Sequence, residues 1–264
     1  MVTSFTFRLH PVSTVCAGPM FWPIEDAAAI LKAYEPFITN APEELNGFFA
    51  FMTVPPAPMF PEELHMRKVC AVLWCSTLSP ERTAELLKPT ESWGKALLSG
   101  VGAMPFPVLQ SLFDGLYAPG LQWYWKADFV DTLSDEAIAE HVKWGMQLPS
   151  MHSTMHLYPI NGAVHRVGEK DTPWGFRKTK WGEVIVGVDP DPANREKITA
   201  WAKSYWEAVH PFSAGGAYIN MMMEEGEARV EASYSENFAR LGQIKAKYDP
   251  GNLFRVNQNI APKP

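Results

Sequence analysis

The stretch Ser150-Met151-His152-Ser153-Thr154-Met155-His156-Leu157-Tyr158-Pro159-Ile160-Asn161-Gly162-Ala163-Val164-His165-Arg166-Val167-Gly168 carries the strongest local signal in the chain. Asn-Gly is the preferred centre of a two-residue type I′ turn, in which both central residues take positive φ. Residues 150–160 and 163–168 on either side therefore read as the two strands of an antiparallel hairpin. Period-two alternation in the first strand puts Thr154, His156 and Tyr158 on one face, with His152 in line.

Working outward, residues 48–54, 68–77, 122–130 and 183–188 read as further strands, and 217–222 is strand-like. Residues 2–10 alternate Val2, Ser4, Thr6 and Arg8 with Phe5, Phe7 and Leu9, and so read as a strand that starts with no turn or helix before it. Helices interrupt them. Ala27, Ile30, Leu31 and Tyr34 recur at helical spacing over residues 25–34. Ser79-Pro80 opens a helix to about residue 87, with Ser as N-cap and Pro in the first turn. Ser134 caps a helix to about residue 147, Asp191-Pro192 opens one to about residue 209, and a last helix covers about 235–247. Residues 88–120, rich in Gly and Pro, read as loop with short helical turns. A hairpin with scattered strands and helices lacks the strict strand–helix succession of a parallel sheet. The expected class is α+β, a large antiparallel sheet covered by helices on one face.

Composition narrows the function classes. With 47% apolar residues, 10 Trp and 15 Phe in 264 residues, the chain can build a substantial core. A net charge of −6, with Lys and Arg scattered, argues against nucleic acid as a partner. No apolar run approaches the ~20 residues of a transmembrane helix, so no membrane partner is expected. Cys16, Cys70 and Cys75 have no metal spacing, and an odd count without a secretory segment reads as reduced thiols in a cytoplasmic protein. No Gly-rich dinucleotide or phosphate loop is present in the sequence.

Candidate chemistry is sparse. His156 and Tyr158, on one strand face, could line a pocket floor and exchange protons with a substrate. They could equally form the wet face of a half-buried strand. Alternation puts Tyr218 and Asn220 on the same side after Gly215-Gly216, as an oriented phenol or as a core Tyr with a satisfied hydroxyl. Asn257-Gln258-Asn259 offers amides suited to the polar edge of a heterocycle, or to water. Met221-Met222-Met223 and Trp123-Tyr124-Trp125 could line a pocket or simply fill a core.

Read as a unit, the C-terminus is more specific. Gly215-Gly216-Ala217-Tyr218-Ile219-Asn220, a helix, and then Tyr248-Asp249-Pro250-Gly251-Asn252-Leu253-Phe254-Arg255-Val256-Asn257-Gln258-Asn259-Ile260 resembles the C-terminal segment of berberine-bridge-enzyme-like FAD-linked oxidases. Residues 2–12 resemble the end of that family's flavin domain, and residues 107–114, 124–126, 161–164 and 172–177 resemble its middle region.

The resemblance implies three parts: 1–12 as the end of an FAD-binding domain, 13–212 as the substrate-binding domain, and 213–264 as the berberine-like segment packed on it. It implies FAD as cofactor and a small molecule as substrate, oxidised at a hydroxyl- or amine-bearing carbon by hydride transfer to flavin. Tyr218 is then the expected base or orienting phenol, with His156 and Tyr158 as substrate-side groups and Asn220, Asn257 and Asn259 near the flavin. The family's frequent aromatic after Y-x-N is Met221 here, which leaves the identity of the base open. The family's N-terminal FAD-binding domain has no counterpart in these residues. Met1 stands where the family has a valine, so the expectation is a truncated or mis-started frame whose flavin domain is missing or separately encoded. The competing expectation is a non-catalytic remnant that binds a small molecule or a protein.

Overall fold

The computed structural model describes residues 3–263. Its strands are β1 (Thr14–Pro23), β2 (Leu45–Thr53), β3 (Lys68–Ser76), β4 (Leu98–Ser99), β5 (Gly102–Pro105), β6 (Gln122–Val130), β7 (Thr154–Pro159) and β8 (Trp181–Asp189). All join one sheet in the order β4-β1-β3-β2-β7-β8-β6, with β5 also on β1, and every pairing is antiparallel. The helices are α1 (Ala27–Thr39), α2 (Pro80–Leu87), α3 (Phe106–Ser111), α4 (Asp135–Gly145), α5 (Arg195–Val209), α6 (Glu227–Tyr234) and α7 (Phe238–Tyr248). The architecture is α+β, as the hydrophobic pattern predicts.

Alternation along the strands divides the sheet into two unequal faces. Trp22, Phe49, Phe51, Val72, Trp74, Met155, Leu157, Trp181 and Ile185 point to one side. They form the main core with Ile30, Leu31 and Tyr34 of α1, Ile138 of α4, and Trp201, Ala202 and Tyr205 of α5. Caps mark two of these helix regions as the sequence suggests. Ser79 Oγ accepts from Arg82 N and Ser134 Oγ from Ala137 N, each satisfying an otherwise orphaned amide.

The opposite face carries two smaller apolar clusters, one toward each end. At one end Phe21, Val54, Leu64, Val69 and Ala71 pack under the loop that carries Phe60. At the other, Ala127 and Val184 pack against Ala217, Met222, Val230 and Phe238 of the C-terminal segment. Between the two lie Phe48, Ala50, Leu73, His156 and Tyr158, which share this face by register.

Several local expectations are corrected. The Asn161-Gly162 hairpin does not form. Gly162 has φ 60, but Asn161 is extended at φ −154, and a type I′ turn needs both positive. Residues 162–166 instead make a 3-10 turn tied outward by the ion pair Arg166–Glu43, and β7 pairs with β8 and β2. Residues 217–222 are not a strand either, since Ile219–Met221 is a 3-10 turn. Of the strand expected over 2–10, Val2 lies outside the described residues and 3–10 are exposed and form no regular element. Phe5 and Phe7 stack at 5.9 Å, yet a strand needs a hydrogen-bonding neighbour and this segment pairs with none of the described strands.

Four elements escape sequence reading: the short strands β4 and β5, which lie in the stretch 88–120 expected to be loop, and two longer ones. β1 contains Gly18, Pro19 and Pro23, residues that ordinarily interrupt strands. The other is α6, whose mixed residues present little amphipathic pattern. Helix α1 also continues past residue 34 through Pro36, because Ile38 is buried in the core.

Candidate active site on the open sheet face

Strand β7 is central in the sheet, so its outward residues sit on a rigid floor. His156 lies opposite Ala50 and Val184, and Tyr158 opposite Gly182. The small neighbours leave room for both rings. His156 Nδ1 and Tyr158 Oη are 2.7 Å apart, and the two rings meet edge-on. Phe48 of β2 packs against both, at 5.0 Å from His156 and 4.9 Å from Tyr158.

Burial sets the charge of this pair. Desolvation pushes the His156 imidazole down to about 4, and it raises the Tyr158 phenol, helped by the nearby Tyr117. At neutral pH both are therefore uncharged. One tautomer has Tyr158 O–H donating to Nδ1; the other has Nδ1–H donating to the phenol oxygen. Such a pair can orient a polar substrate group and relay a proton, but it supplies no standing charge.

Tyr117 reaches the same neighbourhood from the loop after α3, where burial raises its phenol and Thr154 offsets part of that rise. Its ring lies 5.5 Å from Trp123, which in turn lies 6.3 Å from Trp125. Tyr124, between them, faces the helices, with Lys203 of α5 over its ring.

Tyr218 and Asn220 form a second pair. Asn220 Nδ2 donates to Tyr218 Oη at 2.9 Å, and the phenol is 37% exposed beside Trp174, 5.7 Å away. The preceding residues run along the outer strand β6. Ala214 N donates to Phe129 O, and Phe129 N donates to Gly216 O, both at 2.7 Å. The approach is close: a Cβ on Gly216 would sit 2.4 Å from Phe176 Cζ. Here lies the physical reason for Gly216, while Gly215 meets no neighbour but takes φ 89, which favours glycine. Ala217, Ile219, Met221 and Met222, the neighbours of Tyr218 and Asn220 in the chain, pack in the cluster that Tyr158 also touches. Among the described residues no hydrogen bond joins the two pairs.

The tail is tied back by Gln258 and, further on, by Lys263, whose N donates to Gly242 O at 3.1 Å. Gln258 Nε2 donates to Met222 O at 2.7 Å and to Met223 O at 3.2 Å. Asn257 is exposed with φ 60, while Asn259 Oδ1 is buried without a partner. A buried amide acceptor lacking its donor fits the N–H edge of a flavin-like heterocycle in kind.

The remaining sequence candidates separate. His165 Nε2 lies 3.2 Å from Thr179 O in the 3-10 turn, and His152 precedes β7 outside the strand. Cavities of about 330 Å³ and about 240 Å³ lie elsewhere and are lined by none of His156, Tyr158 and Tyr218. Sequence reasoning missed Phe48, Tyr117 and Trp174. Alternation in β2 could have placed Phe48; Tyr117 and Trp174 sit in loops with no periodic signal.

Comparison with known proteins bears on this arrangement. Residues 217–261, which include the Tyr218–Asn220 pair and the tail, match the family described as berberine and berberine like. A FAD-linked oxidoreductase of Dictyostelium discoideum is 24% identical over 99% of this chain, which spans 55% of that protein. The uncharacterized FAD-linked oxidoreductase YvdP of Bacillus subtilis is 24% identical over 98% of the chain and 57% of its own length. The C-terminal segment thus matches the berberine-like family model, and nearly the whole chain is similar to FAD-linked oxidoreductases.

Solved structures agree on the fold. Wild-type BBE-like 1 of Physcomitrella patens superposes with a TM-score of 0.77 at 18% identity, over 98% of this chain and 56% of that one. A variant of berberine bridge enzyme gives 0.76 at 15% identity, over 95% and 55%. The chain thus spans about half the length of the berberine-bridge-enzyme-like relatives it matches.

Proposed function

We propose that this chain is the substrate-binding portion of an FAD-dependent oxidoreductase that oxidises a hydroxyl- or amine-bearing carbon of a small molecule. The observation that carries the reading is a pair of hydrogen-bonded couples, His156 with Tyr158 and Tyr218 with Asn220, linked through one apolar cluster that Tyr158 and the residues flanking Tyr218 share. The relatives' names as FAD-linked oxidoreductases support the cofactor. FAD, when bound, accepts the hydride from the substrate carbon.

The chain's own residues supply binding and proton handling. Tyr218 is the proposed proton acceptor or orienting phenol for the substrate's hydroxyl or amine. Asn220 occupies one side of its oxygen and so fixes the direction of the other lone pair. His156 and Tyr158, both neutral, hydrogen-bond the substrate and can pass a proton between them. Phe48 and Tyr117 wall the floor and exclude water. Asn259, with its unpartnered oxygen, and Asn257 are proposed to hold the edge of the flavin ring. Three unpaired cysteines, two of them buried, favour a reducing compartment.

The test joins this chain to a family flavin domain, in one polypeptide or in trans, and follows bleaching of the flavin's visible absorbance with a panel of alcohols and amines. Bleaching that slows at least a hundredfold in Tyr218→Phe is expected. Flavin that binds but is reduced by none of the panel would favour a binding module without redox chemistry.

A further inference from the structure

We infer that Arg229 is a positioning residue, which sets where the Tyr218–Asn220 pair sits by clasping residues 213–222 to the outer strand β6. The inference rests on the reading of Tyr218 as a site residue. Arg229 lies on α6, whose Val230 packs on the open face. Its guanidinium reaches round the edge of β6. Nη1 donates to Gly215 O at 2.9 Å, and Nη2 donates to Ala127 O at 2.7 Å and to the Asp128 carboxylate. Ala127 and Asp128 are successive residues on opposite sides of the sheet, so one side chain grips the strand's backbone, its far face and the segment leading into Tyr218.

The surroundings of this grip are charged and almost dry. Asp128 and Glu225 are 1% and 4% exposed, Arg229 and Lys126 11% and 13%. Lys126 Nζ meets Glu225 Oε2 at 2.6 Å, and His210 Nδ1 lies 2.9 Å from Asp128 Oδ2. Trp206 of α5 backs the cluster, with Lys126 4.6 Å and Arg229 5.5 Å over its ring and His210 stacked at 4.2 Å.

If the segment needed only adhesion, apolar packing would serve as well, because buried ion pairs lose in desolvation much of what they gain in attraction. What the planar fork adds is direction: its donors fit one register of carbonyl and carboxylate acceptors and no neighbouring one. Gly215 is three residues from Tyr218, so the register of the clasp becomes the placement of the phenol.

Amide hydrogen exchange and Tyr218 ring chemical shifts on the 264-residue chain test this. In Arg229→Ala, the Phe129 and Ala217 amides, which bond Gly216 O and Ser233 Oγ, should lose at least tenfold in protection. Met155 and Leu157 amides should stay unchanged, and the Tyr218 ring signals should move. Arg229→Lys, which keeps the charge without the fork, should restore only part of the protection, and it gives the same readouts should the alanine variant fail to fold. Unchanged protection and unchanged Tyr218 signals would overturn the inference. So would an equal loss at Met155 and Leu157, which would make Arg229 a general stabiliser.

The flavin-loaded protein separates this inference from the functional reading. A Tyr218→Phe variant that reduces flavin at the normal rate, alongside a released segment in Arg229→Ala, would sink the function and leave the clasp. The reverse pattern would sink the clasp alone.

Discussion

His141 should contribute a loss of stability as the pH falls from 7 toward 4.5, a contribution isolated by comparing the protein with a His141 variant. The residue lies on α4 with its side chain 1% exposed, between Tyr205 and Glu183. Its Nδ1 is 2.9 Å from Tyr205 Oη, and its Nε2 is 3.6 Å from Glu183 Oε2. Two charge states are conceivable for this pair. As an ion pair, both groups would be charged and His141 would bind its proton more tightly than a free imidazole. As a neutral pair, burial would push the imidazole down and the carboxyl up. Removing both ions from water costs several kcal/mol each, more than an imperfect contact at this separation returns. The neutral form wins: burial holds His141 down to about 4, and burial with Asp128 nearby raises Glu183 well above the usual carboxylate range.

The sign and size of the effect follow. Between pH 6.5 and about 4 the unfolded chain protonates this imidazole and the folded chain does not, so stability falls as pH falls through that window. At ~1.4 kcal/mol per pH unit the loss approaches about 3 kcal/mol, a large share of the ~5–15 kcal/mol that holds a typical domain. His156 contributes in the same direction, less because it is only half-buried. Glu183 runs the other way, since the unfolded chain gives up a proton that the folded chain keeps as pH rises. Because Glu183 offsets His141 in the parent, the difference between parent and His141→Gln in urea unfolding, followed by Trp fluorescence at pH 7, 6, 5 and 4.5, reads the His141 contribution. His141→Gln should lose roughly 3 kcal/mol less than the parent across the window. Parallel pH profiles for parent and variant, or an NMR titration of His141 at or above 6.5, would refute the neutral pair.

Other outcomes can be checked on the same protein. Gly216→Ala forces a methyl into the Phe176 ring and should cost about 1–3 kcal/mol in thermal or urea unfolding. Ser134→Ala removes the cap that satisfies Ala137 N and should cost about 1 kcal/mol, measured the same way. Tyr158→Phe keeps the packing against Phe48 but removes the hydrogen bond to His156. Stability should change by about 1 kcal/mol, and the His156 imidazole signals should shift in an NMR spectrum.

Legibility of the site depended on where each residue sits. His156 and Tyr158 lie on a regular strand, so period two alone puts them on one face. Tyr218 and Asn220 share a contact although their strand does not exist: a 3-10 turn follows Tyr218, and a side-chain hydrogen bond does what alternation was expected to do. Tyr117 and Trp174 come from loops, where no periodicity announces a direction. The Asn161-Gly162 signal misled, since Asn161 is extended and only Gly162 takes positive φ; β7 takes β2 and β8 as neighbours across the sheet, and the intervening loop is held to Glu43 by Arg166.

What the sequence determined by itself is the α+β class, most strand and helix positions, two helix caps and the berberine-like C-terminus, because each rests on residues close together in the chain. Strand order, the split into a helix-covered face and an open one, and the clasp of Arg229 on Asp128 were decided only by tertiary structure. Asp128 and Arg229 are far apart in sequence, and either alone reads as an ordinary surface charge. They become a buried pair because two sheet faces and a helix close around them, a condition that no local pattern encodes.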